Sequence, residues 1–200
     1  MAYLAVVLLE YTLLQQLFVG FAKYNADHFK LPGLTSAWLM LQAALATLLV
    51  PLAGARMKGW PVRRLFGAYS GGLLCVSLGF VGFGLFPPGA PLPALAFLLV
   101  ATVLGEMFSV PASGALAVRV SAARRHGTTF GLTDAIRALG RTVGASGGGV
   151  LLNYTLSNLP LFWIVGGAAM ALAIGLTGGA VWLLTGRAPD RSRVREASSS

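Results

Sequence analysis

Negative charge is scarce in this chain. Of 200 residues only six are Asp or Glu, and charged residues of both signs make up 10%, against about 25% in an ordinary soluble protein. There is one cysteine, Cys75, inside an apolar run, which excludes an intrachain disulfide and a thiolate metal cluster. The two histidines, His28 and His126, fall outside the long apolar runs, so no imidazole is placed to serve as a metal ligand or a base within them. No Gly-rich Lys-Ser/Thr loop for a nucleotide is present. No catalytic residue, metal or cofactor is therefore expected.

What is abundant is apolar surface. Hydrophobic residues form 56% of the sequence and mean hydropathy is +0.75. One soluble domain of this length cannot bury so much, so lipid is the expected solvent. Six apolar runs are long enough for spans of about 20 residues: 1–22, 36–54, 65–86, 94–118, 130–152 and 161–185. Barrel strands need only about ten residues with strict alternation, so these lengths specify helices. Pro32-Gly33, Pro87-Pro88-Gly89 and Asn158-Leu159-Pro160 supply breakers between them. The fold class is thus an all-α membrane protein of six transmembrane helices, followed by a basic tail, 186–200, read as disordered.

The net charge of +9 does not form a stripe of the kind that binds nucleic acid; it is distributed by side. Arg56, Lys58, Arg63 and Arg64 follow the second run, Arg119, Arg124 and Arg125 the fourth, and Arg187, Arg191, Arg193 and Arg195 the sixth. The opposite loops hold only Lys23 and Lys30. Eleven against two places the basic side, with both termini, in the cytoplasm of a multi-pass cell-membrane protein. Met1 opens directly into an apolar run with no preceding positive charge and no small-residue cleavage site, unlike a secretory signal. The expectation is a true span of one part of something longer.

Ionisable groups inside the apolar runs each cost at least about 2.5 kcal/mol at the bilayer centre and so call for a reason. They are Glu10, Glu106, Asp134, Arg137 and Arg141, joined by the amides Gln15, Gln16 and Gln42. The third and sixth runs have no charge and no Asn or Gln. The first, second, fourth and fifth helices are therefore expected to face a polar interior, with the third and sixth as lipid-side supports. Asp134, Arg137 and Arg141 step by three and four along one helical face. Gly140, Gly144 and Gly148 form a small-residue seam suited to close packing, and Pro111 weakens the helix that carries Glu106. Glu106 is either a counter-ion for Arg137 or Arg141 on a neighbouring helix, or a group that carries protons or contacts substrate. Gln15 and Gln16 read equally as interhelical glue or cavity lining.

The segment Gly105-Glu106 to Gly149, with Pro111, Arg124-Arg125-His126-Gly127, Gly131, Gly140, Gly144 and Gly147-Gly148-Gly149, resembles helices ten and eleven of drug and small-molecule efflux members of the major facilitator superfamily. The loop GARMKGWPVRR, residues 54–64, is similar to a degenerate copy of that family's basic gating loop. It lacks the family's Asp, and Met57 stands near its place. The resemblance implies the C-terminal six-helix half of such a transporter, built from two nested three-helix inverted repeats. It implies a secondary transporter that moves a small organic solute by alternating access, with proton-coupled efflux as the form it suggests. It also implies pathway roles for Glu10, Gln15, Gln16, Gln42, Glu106, Asp134, Arg137 and Arg141, and gating roles for Arg56, Lys58, Arg63, Arg64, Arg124 and Arg125. The partners would be the bilayer, the solute, and either an N-terminal half or a second copy. Two other classes stand beside it: a non-transporting membrane scaffold or regulator, and an intramembrane enzyme around Ser70, which would need a base that no span supplies.

Overall fold

The computed structural model describes residues 2–120, 126–155 and 157–186. Among them are six helices: α1 (Ala2–Asp27), α2 (Leu34–Arg56), α3 (Val62–Gly84), α4 (Pro91–Val120), α5 (His126–Tyr154) and α6 (Leu159–Gly186). Each runs through one apolar segment of the sequence. The breakers act at the ends: Pro61 precedes α3 in an extended conformation, and Gly59 takes a φ of 87° that only glycine adopts without strain. Pro91 and Pro160 sit in the first turns of α4 and α6, where a missing N–H costs nothing. The helices also outrun the apolar cores. α1 continues five residues past Ala22 to Asp27, closed by an exposed Lys23–Asp27 ion pair of 2.7 Å, and that hydrogen bond holds the Asp27 carboxyl below its ordinary range.

α2, α3, α4 as far as Arg119, and α6 from Leu159 to Gly178 are long and apolar enough to cross a membrane. The chain is an all-helical protein of membrane type on that ground. α1 shows a shorter apolar stretch, Tyr3–Thr12, among its described residues, and α5 is interrupted by Asp134, Arg137 and Arg141.

The helices stand in the spatial order α2, α4, α3, α6, α1, α5, each packed mainly on its neighbours in that row. The row maps onto itself, reversed, when α1 is exchanged with α4, α2 with α5 and α3 with α6. α3 and α6 hold the centre; α2 and α5 stand at the two ends.

Close approach along the row depends on missing Cβ atoms. At Gly72 and Gly105 the α3 and α4 backbones meet: a Cβ on Gly72 would lie 2.8 Å from the Ser109 nitrogen. On the other flank, a Cβ on Gly144 would lie 2.7 Å from the Thr12 carbonyl oxygen, which realises the α1–α5 part of the seam. Without a hydrophobic drive between helices in lipid, such contacts and interhelical hydrogen bonds hold a bundle together. At the end of the molecule where α1, α3 and α6 meet, Phe21, Tyr24, Phe83 and Trp163 interlock with mostly tilted or edge-on rings at 5.0–6.4 Å. Pairs of this kind contribute about 0.5–1.5 kcal/mol each beyond their burial.

One expectation is corrected here. α3 is not a support on the lipid side but the most deeply packed of the apolar helices, with Leu65, Tyr69, Leu73, Val76, Phe80 and Phe83 buried. Lack of charge marks a helix surrounded by protein as readily as one surrounded by lipid, because neither environment solvates an ion. α6, by contrast, exposes Leu161, Val165, Leu172 and Leu176.

Candidate functional site

α1 brings Glu10 into the bundle near the middle of its length, and the carboxylate is buried, 4% exposed. The Tyr69 phenol of α3 donates to its Oε2 at 2.6 Å. A carboxylate with so short a bond from a neutral phenol is held in place with its remaining acceptor sites free. The charged groups acting on Glu10 across space are Arg137 of α5, attractive, and Glu106 of α4, repulsive. Charged groups from three helices, drawn from both flanks of the row, thus act on one another across space.

Arg137 is built in from three sides. Its Nη1 donates to Asp134 Oδ1 at 2.9 Å, its guanidinium lies 5.4 Å from the Tyr11 ring, and its Nε is buried with no hydrogen-bond partner. Arg141 stands over the same Tyr11 ring at 5.1 Å. This places the predicted face of Asp134, Arg137 and Arg141 against α1, with Asp134 itself 69% exposed.

Glu106 sits half-buried on α4 and accepts a hydrogen bond from Gln42 Nε2 of α2 at 2.8 Å. The expected ion pair of Glu106 with Arg137 or Arg141 is not formed. α5 packs on α1, at the far end of the row from the α2–α4 pair, so α4 and α5, though consecutive in sequence, are not neighbours in the row. The carboxylate bonded to Arg137 is Asp134, on its own helix.

Gln15 lies over Gly144, where its Cβ fills the α1–α5 seam, which is a packing position. The Gln16 side chain, Arg124, Arg125 and the tail beyond Gly186 lie outside the described residues. Of the basic loop, Arg56, Lys58, Arg63 and Arg64 are all exposed, and Arg64 stacks 4.0 Å from the Trp60 ring. Ser70 is buried beside Gly178 of α6, whereas the His28 ring lies near the opposite end of α3, at the Phe86 carbonyl. No group of three His, Cys, Asp or Glu side chains able to hold a metal occurs among the described residues.

Residue-type reasoning missed the tyrosines. Tyr69 holds Glu10, Tyr11 faces both arginines, and Tyr3 donates to the Ser113 carbonyl at 3.2 Å, tying α1 to α4. A phenol inside an apolar run reads as core, yet its hydroxyl requires a partner when buried. A carboxylate without a nearby cation in sequence is the signal that would have pointed to one.

The two acids are related by the exchange that reverses the row. Glu10 on α1 feels the charge of Arg137 on α5 across space, whereas Glu106 on α4 is hydrogen-bonded to Gln42 on α2. Each is an acid on the first helix of one triplet set against the second helix of the other. No family model, curated protein or solved structure matches the chain.

Proposed function

We propose that the chain is a six-span half of a secondary transporter of the major facilitator type, with both termini cytoplasmic in the cell membrane. It moves a small organic solute by alternating access, coupled to protons through its buried acid, Glu10. The observation that carries this reading is the exchange-related pair of acids, Glu10 on α1 bonded to Tyr69 and Glu106 on α4 bonded to Gln42, in a row of long apolar helices. A reversible row of two triplets is the expected product of an inverted repeat, and such repeats in transporters place solute and ion sites near the midplane at their interface.

The chemistry suits proton coupling. Glu10 is desolvated, so a proton on it removes a buried charge. The phenol of Tyr69 can donate to the carboxylate or turn away from the neutral acid. A cationic solute beside Glu106 or a proton on Glu10 would change the balance of charge between the two flanks. Asp134, Arg141, Thr142 and Ser146 are exposed on α5, a surface unsuited to lipid. The reading therefore includes a second six-helix unit, an N-terminal half, that covers this face and completes the pathway. The His28 ring, near the opposite end of α3 from Ser70, gives no support to a Ser70-based hydrolysis.

The test is proton movement in everted vesicles carrying the chain with a candidate N-terminal half. A pH-sensitive dye reports whether lipophilic cations such as ethidium discharge an imposed proton gradient. Discharge that disappears in Glu10→Gln at unchanged protein level is the expected outcome. Equal discharge with and without the chain, across a broad panel of solutes, would reject the transport reading.

A further inference from the structure

A cavity of 390 Å³ opens at the basic end of the molecule, between the end of α2, the turn that follows it and the last third of α4. Two cations, Lys58 and Arg119, line it together with the apolar side chains of Met57, Pro111, Ala115 and Val118. The Arg119 guanidinium donates to the Trp60 carbonyl, which ties the end of α4 to the loop after α2, and the Trp60 indole carries Arg64 on its face. The chain has no Asp or Glu between Asp27 and Glu106, nor between Glu106 and Asp134, and Asp134 is taken by Arg137. Lys58 and Arg119 thus stand in a cavity to which the neighbouring sequence brings no carboxylate. Arg63 and Arg64 add further positive charge in the first turn of α3, where the helix dipole disfavours it. An anion brought from outside would meet both Lys58 and Arg119 there, beside an apolar lining.

We infer that this cavity is a binding site for an anionic phospholipid of the cytoplasmic leaflet. The headgroup phosphate lies between Lys58 and Arg119, and the start of an acyl chain lies along Pro111, Ala115 and Val118. Basic pockets between helices on the cytoplasmic side take such headgroups, and a tryptophan at the same level sits where the interface favours its amphipathic ring. The apolar lining selects a lipid over a free phosphate ion, which would leave those side chains in contact with water. The site joins α2 to α4, the flank that carries Gln42 and Glu106, so an occupied site stabilises that end of the row. The inference rests on the membrane reading above and is independent of transport.

The test uses the full chain in detergent, equilibrated with equal amounts of phosphatidylglycerol and phosphatidylcholine, with the retained lipid counted by native mass spectrometry. Each cation near an anionic headgroup favours it by roughly fivefold, so wild type should prefer phosphatidylglycerol by about twentyfold. Lys58→Gln, at an exposed side chain, should lower the preference by about fivefold, and Lys58→Gln with Arg119→Gln should abolish it. Lys30→Gln, on the opposite loop, should leave it unchanged. Lys58→Gln carries the test by itself if the double variant fails to fold. Equal retention of the two lipids by wild type would overturn the inference, as would a preference untouched by Lys58→Gln. Full displacement of phosphatidylglycerol by millimolar inorganic phosphate would do the same, since the apolar lining would then contribute nothing. A chain that partitions into water without detergent would overturn this inference and the membrane reading together. Lipid preference in a chain that moves no protons supports it and removes only the transport reading.

Discussion

The two flanks of the row are alike in layout and unlike in chemistry. Glu10 is buried, bonded to the Tyr69 phenol and held in the field of Arg137; Glu106 is half-buried and bonded to the neutral amide of Gln42. Exchange of the two triplets carries one acid onto the other, yet among the described residues no counterpart of the Tyr69 contact joins α6 to α4. A dry acid with a fixed donor changes its charge only together with its surroundings, while a half-open acid can meet a solute directly. On the proposed transport reading, the α1–α5 flank would serve the proton and the α2–α4 flank the solute.

Removing the acids should break the comparison most strongly. Glu10→Ala strips the buried Tyr69 hydroxyl of its charged acceptor, a loss of about 3 kcal/mol. Glu106→Ala leaves only the Gln42 amide short of a partner, about 1 kcal/mol. Thermal unfolding in detergent should show the first variant melting well below the second; equal losses would mean that the two sites are energetically alike. Next in size is Tyr69→Phe, which removes one hydroxyl with little change of shape and should cost about 1–3 kcal/mol. Gln42→Leu, its opposite number, should cost less, about 0.5–1.5 kcal/mol, because it removes both the donor and part of its desolvation.

How far these sites were legible in the sequence varies from residue to residue. The helices were, because each apolar run is long and its ends carry Pro or Gly with a fixed backbone role, as at Gly59 and Pro61. The face shared by Asp134, Arg137 and Arg141 was also legible, since helical periodicity places residues three and four apart together whatever the tertiary fold. The partner of Glu106 was not. Pairing α4 with α5 because they are consecutive ignores that the row runs α2, α4, α3, α6, α1, α5, an order set by glycine-to-backbone contacts such as Gly72 on Ser109 and Gly144 on Thr12. Tyr69 was invisible for a related reason: a phenol in α3 gains meaning only once Glu10 is known to face it. The central place of α3 was hidden because a core helix and a lipid-facing helix have the same composition.

A smaller effect sharpens the comparison without touching stability much. Arg137→Gln gives Glu10 an amide neighbour, as Glu106 already has in Gln42, and should make the proton flank behave like the solute flank. The expected outcome is solute exchange that persists down its own gradient while its dependence on an imposed proton gradient falls at least tenfold. Unchanged coupling would show that Arg137 does not distinguish the two flanks. Smallest of all is Asp27→Asn, at the outer end of α1. Asp27 is depressed by its bond from Lys23, so any contribution is present above the unfolded value of 3.8 and is lost as pH falls through the lower folded value. The pair is exposed and screened, and no shift in melting temperature is expected at neutral pH and physiological salt; a clear drop would show that the end of α1 anchors the row.

The division of labour between the two acids is tested most directly by Glu10→Gln and Glu106→Gln in the assembled transporter, compared at equal amounts of folded protein. Proton-driven flux is measured beside solute exchange with no proton gradient. Glu10→Gln should lose proton-driven flux and keep exchange, whereas Glu106→Gln should lose both. Proton-driven flux that survives Glu10→Gln with its pH dependence intact would contradict the account.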